Sequence, residues 1–413
     1  MASLFPFRAL RPESDGASRI AAVPYDVVST DEARALADAN PLSFLRVSRA
    51  EIELPQGTDP YSDVVYERAA QNFAALRETS LVVETEPSLY CYRLRMGGHT
   101  QTGLAACFSI DEYDRDIIRK HERTRRDKED DRTRHMLALG AQTGPVFLTY
   151  RAADAVDHIV DRATAAAPIA DFEAPDLVRH TVWRVGGDDH DDRDALVAAF
   201  GRIPALYIAD GHHRAASAAR ARTEIRDHAR AGNPLGDGAD YSTMLAVAFP
   251  HDQVQILSYN RTVNDLADLA PEDFLQAVRA RFELEAGPGT PRRRGDIAMY
   301  FRGAWLTLRA RVPPDESDPI DALDVSVLQE QLLAPVLGIA DIRTDKRIDF
   351  VGGVRGTKEL EKLVDSGKAA VAFSLYPVSV ADLMAVSDAG SIMPPKSTWF
   401  EPKLRDGLLI HLV

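Results

Sequence analysis

YIADGHHRAASAARA, residues 207–221, passes from an apolar run suited to a buried strand, through Gly211, into an alanine-rich run suited to a helix. A strand feeding a helix through a glycine is α/β punctuation. Asp210, His212, His213 and Arg214 crowd that junction. The first turn of a helix offers unpaired N–H groups and the positive end of its dipole, so the junction suits an anion, and Arg214 adds a planar fork of donors for phosphate or carboxylate. The plainer reading makes Asp210 a helix cap and gives the histidines local hydrogen bonds.

Working outward, IAAVPYDVVSTDEARALADANPLSFLRV reads as a strand, a turn at proline, a helix capped by Ser29 or Thr30, and a strand around Phe44 to Val47. A helix is expected from about Pro60 to Glu78. LYCYRLRM and GLAACFSI, split by Gly97 and Gly98, read as a hairpin, and GPVFLTYRA as a strand. The acidic run from Gly186 to Asp194 and GNPLGDGAD, 232–240, read as loops. MLAVAFPHDQVQILSYNRTV reads as two strands completing a first α/β core. Composition shifts near Leu266, which divides the chain into 1–265 and a C-terminal α+β module, 266–413. The class is therefore α/β with an α+β mixture.

With 413 residues, 45% of them hydrophobic, the chain can bury two or three cores. A net charge of −14 opposes broad binding to nucleic acid. Two cysteines, Cys91 and Cys107, furnish neither a disulfide framework nor a four-cysteine zinc site. The opening residues lack the apolar core of a signal peptide and no apolar run reaches the ~20 residues of a membrane span, so a cytoplasmic protein without a membrane partner is expected. Self-association is left open.

Three further segments carry chemistry. In KHERTRRDKEDDRTRH, His121, Glu122, Thr124, Lys128 and Arg132 lie in a window too polar for a core; if it is helical, His121, Arg125 and Lys128 share a face that could grip an anion. The plainer reading is a solvated helix. Arg125 stands where H-E-x-x-H needs its second histidine, so no zinc is expected. In MPPKSTWFEPKL, Lys396, Ser397, Thr398 and Lys403 sit among stiffening prolines and could close over a phosphorylated ligand, or simply dock through Trp399 and Phe400. VGGVRGTKEL is a weaker anion turn. Neither a P-loop, a G-x-G-x-x-G nor a G-x-S-x-G elbow occurs.

The strand–DGHHR–helix unit resembles the ParB/sulfiredoxin-like superfamily. PYDVVS, KHERT with Lys128 and Arg132, YIADGHHRAA and MPPKSTWFEPKLRDGL together resemble the bacterial and archaeal domain-of-unknown-function family numbered one thousand and fifteen. The resemblance implies a ParB/sulfiredoxin-like core with a second C-terminal module. Sulfiredoxins need a cysteine where His212 stands, and the chromosome-partitioning branch carries a helix-turn-helix where strands follow here. Free serine kinases carry a D-G-H-x-R element, matched by Asp210, Gly211, His212 and Arg214. The resemblance thus implies a metal-assisted phosphotransferase on a small hydroxylated metabolite, free L-serine first, using Mg2+ with ATP or ADP. Gly211 would admit the phosphates, and His212, His213 and Arg214 would hold them. Asp210 or Glu122 would orient the hydroxyl or the metal, with Asp26 a further carboxylate, and Lys396 and Lys403 would close the site. A non-catalytic nucleotide- or phosphometabolite-binding regulator and a phosphoserine phosphatase-like hydrolase stand as alternatives.

Overall fold

The computed structural model describes residues 1–186, 190–230 and 240–413. It divides into one unit made of Met1–Val254 with Pro402–Val413, and a second made of Gln255–Glu401. The expected boundary at 265/266 thus differs from the observed one, and the last twelve residues return to the first unit.

In the first unit, nine strands among the described residues form one mixed sheet. They are β1 (Leu4–Phe5), β2 (Leu89–Met96), β3 (His99–Ser109), β4 (Ile118–Arg119), β5 (Val146–Tyr150), β6 (Ala170–Glu173), β7 (Val178–Val185), β8 (Leu206–Asp210) and β9 (Thr243–Pro250). Their spatial order is β4-β8-β5-β9-β3-β2-β7-β6, with β1 also on β3. β8 runs parallel to β4 and antiparallel to β5, and β5 runs parallel to β9. Leu89, Cys91, Leu104, Ala106, Leu148, Ile208, Met244 and Ala246 lie in one core, every second residue along each strand, as the pleat requires.

That face is covered by the helices Asp154–Ala163 and His190–Phe200 and by α1 (His212–Arg230). Ala215, Ala218 and Ala221 face the core from α1, and their small side chains let the helix lie close to the sheet. A second core, with Phe44, Phe73 and Ile410, gathers the N-terminal helices. Arg126–Leu139 packs between Asp63–Thr79 and α1. No helix among the described residues is long and apolar enough to cross a membrane.

The second unit carries a six-stranded sheet in the order Phe282–Ala286, Ala304–Ala310, Ile297–Phe301, Val371–Leu375, Tyr259–Val263 and Ile348–Gly352. Gln255–Leu257 pairs with Trp399–Glu401. The two strands expected to complete the first core therefore part company, Thr243–Pro250 staying in the first sheet and Tyr259–Val263 opening the second.

Several local expectations change. The strand expected at Phe44–Val47 is a short helix, Leu45–Ser48, because three apolar residues in so short a run fit either period. The strand expected near Ala22 reduces to a single bridge with Asp406. Ser29 caps Thr30–Ala37 in a reciprocal box with Glu32. The helix expected through KHERT starts only at Arg126, so His121, Arg125 and Lys128 share no helical face. Of the acidic run, 187–189 lie outside the described residues and a helix begins at His190. The GNPLGDGAD loop lies outside them up to residue 239.

Candidate functional site

The register of β8 against β5 shifts between Ile208 and Asp210, a bulge that re-aims the strand end where the chain leaves the sheet. Gly211 follows at φ 93°, a backbone that favours glycine, and a Cβ there would meet the Arg214 Nε at 3.1 Å. The Gly211 N–H donates to Asp210 Oδ1 at 2.8 Å. Lys403 Nζ donates to Asp210 Oδ2 at 2.9 Å, and Arg214 Nη2 stands 3.9 Å from the same oxygen. Burial works to raise the Asp210 carboxyl, but Lys403 and Arg214 outweigh it and hold it well below the usual carboxylate range. Two cations therefore share one anion beside the start of α1.

The next two residues tie a neighbouring loop to the helix. His212 Nε2 accepts the backbone N–H of His121 at 3.4 Å, and His213 Nε2 accepts that of Arg125 at 3.1 Å. Burial, with the His121 ring beside it, pushes His212 well below the ordinary histidine range, and burial lowers His213 too. Both are neutral at pH 7, so each has only its Nδ1–H to donate. Each therefore fixes the loop through its Nε2, whereas the resemblance implies that both hold phosphate.

His121 is 2% exposed, and its ring meets that of His212 edge-on at 4.4 Å between centroids. Burial lowers it to about 4, and although the Ile208 carbonyl lies near, neither ring nitrogen completes a hydrogen bond. Glu122 Oε2 is 3.8 Å from His212 Nδ1, with the glutamate side chain 42% exposed. One ligand atom each from His121, Glu122 and His212 lies within 4.8 Å of the others. The expectation of no zinc weighed spacing within a single segment; this trio comes from two segments.

Behind the turn lies a cavity of about 40 Å³ lined by Tyr25, Arg132, Arg214 and Asp406 among others. Arg214 Nη1 donates to the Pro145 carbonyl, while its buried Nε has no partner. Arg132 stacks 4.0 Å over the Tyr25 ring and pairs with Asp131 at 2.8 Å. Asp131 also accepts from Tyr66 Oη at 2.8 Å. Asp406 is pushed up to about 7 by burial, against the pull of Arg214 and with the like charge of Asp26 adding to the rise. Asp26 itself is exposed.

The remaining predicted residues have partners of their own. Thr124 donates to Glu129, and Lys128 donates to Tyr61 Oη at 2.7 Å. Lys396, Ser397 and Thr398 belong to the second unit. There the Lys396 carbonyl accepts from Arg261 at 3.2 Å, and Ser397 Oγ donates to the Pro394 carbonyl at 2.5 Å. Tyr25 and Asp406 were missed by sequence reasoning. PYDVVS and KLRDGL were singled out, but nothing local says that a bridge from Ala22, two residues before the first motif, to Asp406 in the second brings them together.

Residues 4–326 match one family profile, a span that stops short of Lys403 and Asp406. The chain belongs to the family described as "Protein of unknown function (DUF1015)". The match includes PYDVVS, KHERT and DGHHR, and ends before MPPKST. No curated protein matches. Among solved structures, this DUF1015 chain is similar to "SbnI with C-terminal truncation from Staphylococcus aureus", at 14% identity and a TM-score of 0.38, covering 75% of this chain and 87% of that one. It is similar to "Free serine kinase in complex with AMP", at 12% identity and TM-score 0.35, covering 74% and 92%. A "Conserved hypothetical protein from Pyrococcus furiosus" stands at 13% identity and TM-score 0.35, covering 75% and 95%.

Proposed function

We propose that the first unit transfers a phosphoryl group from ATP or ADP to the hydroxyl of a small metabolite, with free L-serine the first candidate. The observation that carries this reading is the meeting of Arg214 and Lys403 on one Asp210 carboxylate at the glycine turn that opens α1. Such a turn presents backbone N–H groups and two cations to one small volume, which is what a polyphosphate needs. The D-G-H-x-R match of Asp210, Gly211, His212 and Arg214 to free serine kinases points the same way.

Phosphoryl transfer asks for positioning and charge neutralisation more than for covalent chemistry. The hydroxyl oxygen attacks the terminal phosphorus and its proton passes to Glu122, which lies in the fixed loop with its side chain 42% exposed. The bond to the leaving nucleotide breaks, and Arg214 and Lys403 balance the charge that collects on its phosphate. His212 and His213 act by holding the loop in register. Magnesium arrives with the nucleotide as part of the substrate. Asp210 does not fit as its protein ligand, since Gly211, Lys403 and Arg214 already engage both its oxygens. Asp26 is the exposed carboxylate left for that role.

The test is phosphorus NMR of the protein with magnesium, ATP or ADP and a pool of hydroxylated metabolites that includes L-serine. A new phosphomonoester signal is expected, absent with Arg214→Ala and at least tenfold slower with Glu122→Gln. Nucleotide binding with no phosphomonoester in any pool would overturn the transferase reading.

A further inference from the structure

We infer that His121, Glu122 and His212 bind one divalent cation of the imidazole-preferring class, such as zinc, cobalt, nickel or iron(II). Two neutral imidazoles and a carboxylate are a donor set for those metals, whereas magnesium prefers an all-oxygen shell. The ligand atoms already lie within 4.8 Å of one another. Tetrahedral bonds of 2.0–2.2 Å require separations of roughly 3.3 Å. Closing the trio takes a change of rotamer at the partly exposed Glu122 and a turn of the two imidazole rings towards each other.

The independent pointer is His121. A side chain 2% exposed, with both ring nitrogens lacking partners, is an unpaired polar group of the kind proteins rarely tolerate. A cation satisfies one nitrogen, and the nearby Ile208 carbonyl takes the N–H of the other, the outer-shell arrangement usual for metal-bound histidine. His212 turns its Nδ1 to Glu122. Binding through that nitrogen moves the ring proton to Nε2, so the 3.4 Å contact from the His121 N–H gives way. Three protein ligands leave a coordination position open, as in reactive rather than purely structural sites.

The cation takes up the carboxylate assigned above to proton acceptance, so its binding lowers phosphoryl transfer. That consequence alone rests on the transferase reading; the site itself does not.

The experiment strips the full chain with chelator and titrates it with cobalt(II), then zinc, in the absence of nucleotide. One equivalent of cobalt is expected, with visible d–d bands of imidazole-bound low-coordinate metal, displaced by zinc. His121→Ala should abolish the bands and Glu122→Gln should weaken binding at least tenfold, while His158→Ala, an exposed histidine elsewhere, leaves binding unchanged. Circular dichroism checks that each variant is folded. Absence of such bands in the unmodified chain would overturn the site, as would binding that both Glu122→Gln and a folded His121→Ala leave intact. Either result leaves the phosphorus NMR outcome standing on its own.

Discussion

Asp406 is 3% exposed and its Oδ1 has no hydrogen-bond partner, so the carboxylate has lost water without a full set of replacements. Its neighbours do not restore the balance, since Arg214 also serves Asp210 and Arg132 also serves Asp131. Burial therefore raises Asp406 to about 7, above the ordinary value of an aspartate in an unfolded chain. A carboxyl raised by folding favours the fold fully when both states are protonated, and that advantage is lost as pH climbs from about 4 through about 7. Unfolding in urea should thus show the native chain losing stability relative to Asp406→Asn across that window, by at most about 1.4 kcal/mol per pH unit. Above about 7 the difference should level off. A difference independent of pH would mean that Asp406 ionises in the fold as freely as in solution. A neighbouring glycine bears out how tight the site is, because a Cβ at Gly144 would collide with the Asp406 carboxylate.

At the scale of elements, the junction between β8 and α1 depends on one backbone angle. Gly211→Ala forces an L-residue to φ 93° and pushes a methyl to 3.1 Å from Arg214. Such strain costs of order 1–3 kcal/mol, which urea unfolding would read. Displacing Arg214 should weaken ATP or ADP binding by about tenfold or more in calorimetry; affinity unchanged in a folded variant would remove the turn from the site. This junction was legible in the sequence because strand, glycine and helix sit within fifteen contiguous residues, 207–221. The hairpin of β2 and β3 was legible for the same reason, its alternation and its paired glycines being local signals. The loop from His121 to Arg125 was not. Its charges imitate a solvated helix, and it is fixed by histidines some ninety residues on, whose bonds have no local trace. Lys403 was picked out as a phosphate clamp, whereas its pairing with Asp210 across 193 residues needed the fold.

For the molecule as a whole, the first unit is interrupted by the second. Pro402–Val413 belongs to the first unit, where Asp406 bridges Ala22, Ile410 bridges Leu10, and His411–Leu412 pairs with Ala141–Gln142. The same stretch supplies Lys403 to Asp210. A chain ended at Val254 loses these contacts together, exposing Leu10 and Ala22 and leaving Asp210 without its closest cation. The second unit nevertheless enters and leaves at neighbouring points, because Gln255 pairs with Glu401. Antiparallel partners lie about 5 Å apart at their Cα atoms, a gap that two or three residues at ~3.3 Å each can span. Replacing 255–401 by such a glycine linker should therefore yield a chain that unfolds in one cooperative urea transition, while the chain cut after Val254 should not. If the linked chain proved as unstable as the truncated one, the second unit would be supplying stability to the first and not only occupying a loop of it. If it folded, ATP or ADP binding by the linked chain equal to that of the full chain would mean that the first unit carries the nucleotide site by itself, and loss of that binding would mean that it does not.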